Sequence, residues 1–245
     1  MSEQSEGIPL AERGARALGL QLTPWQVGQL SGLVRELLNW NQRVNLTSIT
    51  GRDDVQVKHL VDSLSVVPVL RRLGTERGTL IEVGSGAGCP GLVLAIAFPQ
   101  LSVTLVEATG KKVQFLQHAV RALAIVNASV AGGRAEELAQ SADYRERYDV
   151  AVARAVGSIS TLVELLMPFL RIGGHAVLMK TLRVARTELE RAERAVAALS
   201  CVVEEVVPVV LPGLLDDRAL IVVRKTGATG QLYPRRPGIP QRRPL

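Results

Sequence analysis

Aromatic residues are nearly missing from this chain: Phe, Trp and Tyr make up 3% of its 245 residues, whereas hydrophobic residues reach 47%. Any core is therefore aliphatic. Cysteine is scarcer still, and Cys89 and Cys201 show neither metal-ligand spacing nor a disulfide framework, so they read as two free thiols. The three histidines, His59, His118 and His175, do not cluster with a cysteine or serine. No apolar run approaches the roughly 18 residues of a membrane span. The first ten residues lack a basic segment followed by an apolar one, so no secretory signal is expected and the cytoplasm is the expected compartment. A chain of this length can bury a sizeable core, enough for one large α/β domain with a modest appendage.

Acidic residues are missing from one end. Arg218, Arg224, Lys225, Arg235, Arg236, Arg242 and Arg243 lie between position 218 and Leu245 with no acid among them, which leaves 22 basic against 23 acidic residues before them. The net charge of +6 therefore belongs to the last tenth of the chain, where polyanion binding is expected. Prolines at 234, 237 and 240 favour an extended polyproline tail that displays arginines to phosphates at low ordering cost, against the alternative of a disordered solubilising end.

What is present is a nucleotide motif. The apolar run Thr79 to Val83 meets the turn Gly84-Ser85-Gly86-Ala87-Gly88, a helical stretch follows from Gly91 to Phe98, and a second apolar run, Val103 to Val106, delivers Glu107. Glycines permit positive φ and a close approach of backbone to ligand. A carboxylate 21 residues after Gly86 is placed to accept hydrogen bonds from ribose hydroxyls. Two registers overlap here. Gly86 to Gly91 satisfies the G-x-G-x-x-G pattern of dinucleotide binders, which would make an NAD-dependent oxidoreductase. Glu82 with Gly84, Gly86 and Gly88 satisfies the acidic-x-G-x-G-x-G pattern of S-adenosylmethionine (SAM) methyltransferases. Pro90 would more naturally start the helix than lie within it, which disfavours the dinucleotide register. Some pyrimidine methyltransferases attack with a cysteine, but from a later loop; Cys89, in the turn, is expected to line the cofactor pocket.

The wider pattern favours SAM. Thr23-Pro24-Trp25-Gln26 resembles a capping box, Val27 to Leu38 repeats at helical spacing, and a second helical pattern covers Asp54 to Leu73. From Thr79 strand-like runs alternate with helical ones: Ala128 to Ala131, Asp149 to Ala153 and His175 to Lys180 continue the series, between helices over Lys111 to Leu123, Ile159 to Leu170 and Val184 to Leu199. Val202 to Val207 and Leu220 to Arg224, joined through Pro208, Pro212 and Gly213, suit a final antiparallel hairpin. The expected fold is α/β, the Rossmann-like Class I SAM-dependent methyltransferase arrangement of seven strands with an N-terminal helical extension. The expected divisions are 1–78 helical, 79–226 SAM-binding, and 227–245 a basic Pro/Arg-rich tail.

After the fourth strand, Tyr148 to Ala155 lacks the Asn/Asp-Pro-Pro-aromatic motif that exocyclic-amine methyltransferases place there. Such a site suits an acceptor that already owns a free lone pair, as N7 of guanine does, because no general base is then needed. A protein that senses SAM while holding ribosomal RNA without catalysis is the other reading of that gap.

Trp40-Asn41-Gln42-Arg43-Val44-Asn45-Leu46-Thr47, His59-Leu60-Val61-Asp62-Ser63-Leu64, the Gly84 to Gly91 turn, Arg134-Ala135-Glu136, Arg154-Ala155 and the tail Tyr233 to Pro240 together resemble the ribosomal RNA small-subunit methyltransferase G family, also called glucose-inhibited division protein B. The resemblance covers nearly the whole chain. It implies methylation of N7 of a guanine in the decoding-region loop of 16S rRNA, with 16S rRNA or the small ribosomal subunit as partner. It also implies SAM binding through Gly84 and the residue at Cys89, through Glu107, Ala108 and Thr109, through Ala135 and Glu136 beside the adenine, and through Arg154. The family more often has Phe or Leu where this chain has Cys89. Ser85, Gly86 and Gly88 join the cofactor set through the turn itself. His59, Asp62, Arg154 and Lys180 are candidates for positioning, with a local His59–Asp62 helix pair as the plainer alternative. Lys180, Arg183 and Arg186, which follow the fifth strand at the ligand edge, are expected to meet RNA along with Arg218, Arg235, Arg236, Arg242 and Arg243. No metal is implied, no membrane, and nothing demands more than a monomer.

Overall fold

The computed structural model describes residues 7–154, 156–211, 213 and 217–245; Ala155 and Pro212, used in the sequence pattern above, lie outside them. Its seven strands are β1 (Thr79–Val83), β2 (Ser102–Glu107), β3 (Ala128–Gly132), β4 (Tyr148–Arg154), β5 (Leu170–Thr181), β6 (Cys201–Val209) and β7 (Arg218–Lys225). They form one sheet in the order β3-β2-β1-β4-β5-β7-β6. Pairing is parallel from β3 through β5, and β7 enters antiparallel to both β5 and β6. The expected closing hairpin is present. It also removes the dinucleotide alternative, which needs six parallel strands in two equivalent halves.

Both faces of the sheet are covered, so its strands read as continuous apolar runs rather than alternating ones. In β4, Val150 and Val152 join one core while Ala151 and Ala153 join the other. The first core is closed by the N-terminal helices α1 (Pro9–Ala17), α2 (Pro24–Asn41), α3 (Arg52–Val55), α4 (Asp62–Leu64) and α5 (Val67–Arg72), together with α6 (Gly91–Ala97) and α7 (Gly110–Ala122). The second is closed mainly by α8 (Ala135–Leu138), α9 (Ile159–Leu166), α10 (Leu182–Leu189) and α11 (Glu193–Ala198). No helix among the described residues is long and apolar enough to cross a membrane.

Two helical expectations are modified. The Asp54 to Leu73 pattern is not one helix: a π turn at Gln56–Val61 joins α3 to α4, and the chain breaks at Ser65–Val66 before α5. Pro68, in the first turn of α5, has no amide hydrogen and cannot extend a preceding helix. The Val184 to Leu199 pattern tightens into a 3-10 turn at Glu190–Ala192 between α10 and α11, with Ala185, Ala192, Ala195 and Leu199 all buried.

The tail is not extended polyproline. Residues 231–238 turn repeatedly and a single helical turn, α12 (Ile239–Arg242), follows. The cause is a set of tertiary partners that composition does not reveal. The Arg235 side chain is bidentate on Glu164, which has no exposed surface, and Pro240 is buried. Lys225, also fully buried, donates to Glu146, to Met167 O and to Leu170 O.

The capping box of α2 forms as expected, with Thr23 Oγ1 accepting from Gln26 N at 3.3 Å and Gln26 Oε1 from Thr23 N at 2.9 Å. Its glutamine also works at longer range: Gln26 Nε2 donates to Ile96 O and Ala97 O, at 2.9 and 3.0 Å, and so closes the last turn of α6, the helix that the glycine turn opens. Gln26→Ala leaves those two carbonyls without their donor and should lower stability by about 1–3 kcal/mol. Urea denaturation should show this as a lower midpoint with an unchanged slope.

Candidate functional site

Strand β1 lies between β2 and β4, so the chain reverses its direction of growth there, and open α/β sheets bind ligands at the carboxyl ends of strands beside such a point. The glycine turn follows β1 at that edge. Gly84 and Gly88 have φ of 74° and 79°, in the left-handed region, and a Cβ at either would collide with Val156 or Leu92 respectively. Gly91 occupies the first position of α6 after Pro90, and a Cβ there would strike Leu105 and the Glu82 carboxylate.

The turn is pinned by acceptors from the neighbouring strand. Gly84 N and Ser85 N both donate to Val106 O, at 2.9 and 3.0 Å. Glu107 then takes one amide on each carboxylate oxygen, Thr109 N on Oε1 at 2.7 Å and Gly86 N on Oε2 at 2.9 Å. Each oxygen keeps a second lone pair, the arrangement two vicinal hydroxyls require. A cleft of about 180 Å³ opens here, lined by Val83, Gly84 and Val106, by Glu107, Ala108 and Thr109, and by Gly133 to Glu136. Val156, Thr161, Leu165, Pro240 and Gln241 complete it. The carboxylate, the glycine cradle and the apolar walls fit an adenosyl group.

Glu82 lies behind the turn, buried, with Oε2 accepting from Gly91 N at 3.1 Å. Burial pushes its pKa up to about 8, outweighing the lowering by Arg154 and the Gly91 amide. It holds the turn from inside and does not line the cleft. Cys89, expected in the lining, is also buried behind it, beside Ser63, Arg154, Asp62 and Glu82, and burial pushes its thiol up to about 11.

The centre of that network is Arg154, at the end of β4. Its Nη1 donates to Asp62 Oδ2 and to Lys58 O, both at 2.9 Å, and its Nη2 lies 2.9 Å from His59 Nδ1. Arginine can only donate, so His59 Nδ1 is the acceptor, its proton sits on Nε2, and Nε2–H faces Thr47 Oγ1 at 3.0 Å. Burial and the Arg154 charge push His59 down to about 4, so the ring is neutral. Thr47 is itself held: Asn41 Oδ1 accepts from Leu46 N and Thr47 N while Asn41 Nδ2 donates to Thr47 O. His59 and Asp62 thus face Arg154 rather than each other, and Arg218 Nε joins Asp62 at 3.5 Å.

The candidate RNA residues divide into two sets. Lys180 is taken up by Gly157 O and Glu188, Arg218 by Asp62 and Arg235 by Glu164. These are internal ties, because each faces an acceptor on a neighbouring element. Arg183, Arg186, Arg236, Arg242 and Arg243 are exposed. Sequence reasoning missed Val83, Val106, Gly133, Arg134, Val156, Thr161, Leu165, Pro240 and Gln241 as lining residues; Arg134 and Pro240 stood within quoted motifs and the two valines lie at or next to strand ends beside the turn, while nothing local marks the others.

The model of the family described as rRNA small subunit methyltransferase G matches residues 26–218. Among curated proteins, the "Ribosomal RNA small subunit methyltransferase G" of Dehalococcoides mccartyi is 43% identical, covering 95% of this chain and 97% of its own. The protein of the same name from Alkaliphilus metalliredigens is 38% identical over 98% of this chain and 99% of its own. Among solved structures, the Methanococcus jannaschii fibrillarin pre-rRNA processing protein superposes with a TM-score of 0.51 at 16% identity, covering 62% of this chain and 68% of that one, a likeness of fold alone. The sheet order, with β7 antiparallel between β5 and β6, and the family match together give the Class I SAM methyltransferase fold. Neither the oxidoreductase nor the non-catalytic reading finds support among these relatives.

The raised pKa of Glu82 has a measurable consequence in the ligand-free protein. Between the ordinary carboxylate range and about pH 8 the folded chain keeps a proton that the unfolded chain has released, so this group makes stability fall as pH rises through that window. Glu82→Gln removes that dependence. The stability of the variant relative to the parent should therefore climb with pH from 5 to 8, by up to about 1.4 kcal/mol per unit, and level off above. Denaturation midpoints at pH 5, 6.5, 8 and 9 would check the slope.

Proposed function

The chain belongs to the rRNA small subunit methyltransferase G family, and we propose that it is a cytoplasmic, monomeric enzyme that moves a methyl group from SAM to N7 of a guanine in the decoding-region loop of 16S rRNA. The observation that carries the cofactor reading is the Glu107 carboxylate, fixed by two backbone amides at the mouth of the glycine turn with one lone pair per oxygen to spare. Glu107 would hold the ribose diol, Ala135 and Glu136 would flank the adenine, and the turn from Gly84 to Gly88, its backbone already pinned to Val106 O and Glu107, would lie against the amino-acid end. SAM supplies an electrophilic methyl on a sulfonium.

The protein's part in such a transfer is positioning. Guanine N7 offers its own lone pair, so the work is to hold donor and acceptor in line at about 3–3.5 Å and keep them dry. The polar groups near this edge support that reading. His59, Asp62, Arg154 and Lys180 each have internal partners, and His59 has both ring nitrogens occupied. They set the shape of the edge next to the turn. For the substrate, exposed Arg183 and Arg186 on α10 follow β5 at the same edge and are suited to phosphate contact.

Calorimetry should show SAM binding and no NAD binding. Glu107→Ala should weaken SAM by about 1.5–3 kcal/mol, as expected for hydrogen bonds to a charged group; unchanged affinity would remove Glu107 from the site. Arg183→Glu with Arg186→Glu should weaken rRNA binding and reduce the salt slope by roughly 0.7–0.9 for each phosphate that is no longer neutralised, with SAM affinity retained. Mass spectrometry of 16S rRNA from cells lacking the protein should show one guanine without its N7 methyl. An unaltered methylation pattern would overturn the substrate assignment.

A further inference from the structure

The sheet is complete at Lys225, yet the residues after it are tied down at a succession of points. Arg145 donates to Thr229 O, Gly230 O and Tyr233 O, and Gln140 Nε2 donates to Pro234 O at 3.1 Å. These contacts anchor the base of the segment. Beyond it, Glu164 accepts from Arg235 three times, from the backbone N at 2.9 Å, from Nε at 2.8 Å and from Nη2 at 2.6 Å. Glu164 is fully buried, so releasing the guanidinium would leave a carboxylate with neither water nor a cation. Arg235 Nη2 also donates to Arg243 O at 2.8 Å, drawing the end of the chain back over the turn. Two more ties come from the walls of the cleft itself: Glu136 Oε1 accepts from Gly238 N at 2.8 Å, and Thr161 Oγ1 donates to Pro240 O at 3.0 Å.

The result is that Pro240 and Gln241 line the same cleft as Glu107 and Thr109, although they lie more than 130 positions away in sequence. We propose that residues 235–243 are the roof of the cofactor site, with Pro240 and Gln241 as cofactor-binding residues over the adenine end and Arg235–Glu164 as the latch that must open for the ligand to exchange. The proposal rests on the reading of this cleft as a SAM site. The chemistry of the lining matches: Val156, Leu165 and Pro240 offer apolar surface to a flat heteroaromatic ring, while Gln241 offers an amide donor and acceptor at the rim. A terminal segment held by a few concentrated contacts is the kind of element that opens as a unit, and lids of this sort set exchange rates in many enzymes.

The test uses the full chain and S-adenosylhomocysteine, the unreactive demethylated cofactor, as probe. Dissociation is followed by stopped-flow displacement in the parent and in a variant carrying both Arg235→Ala and Glu164→Gln, which leaves no lone buried charge. The variant should release the probe about ten- to a hundredfold faster, the change expected when charge-assisted hydrogen bonds are removed. Gln241→Ala, a change at an exposed position that threatens no core packing, should bind the probe more weakly. Hydrogen exchange in the parent gives a readout that needs no variant: amides 236–243 should slow when the probe saturates the site. Unchanged release from a folded latch variant, or unchanged exchange of 236–243 on saturation, would overturn the roof. If the parent binds neither the probe nor SAM, the cofactor reading itself fails. If binding is present and weakened in Glu107→Ala but indifferent to the tail, only the roof fails.

Discussion

The buried ion pair between Arg154 and Asp62 is the contact on which the rest of the site depends. The partners come from the end of β4 and from the helical extension, at 16% and 3% side-chain exposure, and meet at 2.9 Å. A buried pair of this sort adds little net stability over an apolar replacement, because desolvation offsets most of the attraction. Its value is geometric. Breaking it leaves an uncompensated charge, so only one placement of the helices against the sheet is tolerated. Lys58 O, His59 Nδ1 and Asp62 Oδ2 all converge on the one guanidinium, and the loop from Asn41 to Thr47 is hung from the far side of His59. The helical extension is thereby welded to the edge of the sheet where the glycine turn sits.

That weld explains the division of labour among the carboxylates. Glu82 and Glu107 lie near the carboxyl ends of the paired strands β1 and β2, but they serve different ends. Glu82 is enclosed between the turn, α6 and the Arg154 network, where burial favours its protonated form, and it acts as a strut. Glu107 is reached by the cleft and accepts one amide on each oxygen. The spacing from the turn singled out Glu107, but that Glu82 is sealed behind the turn depends on what packs in front of it.

Basic residues repeat the lesson. Lys180, Arg218 and Arg235 each have an acid or carbonyl waiting on another element, so their charge stabilises packing, whereas Arg183, Arg186, Arg236, Arg242 and Arg243 are exposed to solvent. Charge counting places all eight in one class. Only the presence of Glu164, Glu188 or Asp62 at ion-pair distance separates them.

The α/β class, the seven strands, the capping box at Thr23, the glycine turn and the placing of the Glu107 carboxylate beside that turn were all legible in the sequence, because each rests on local rules: strand and helix periods, cap chemistry, the need for positive φ, and a fixed spacing from turn to acid. Tertiary structure alone decided that Cys89 faces an ion network instead of the cleft, that His59 carries its proton on Nε2, and that the proline-rich end folds into a wall of the site. These outcomes turn on which distant groups share a dielectric environment and a hydrogen-bond partner. Such neighbours are brought together by the packing of the whole chain, and no window of sequence contains them.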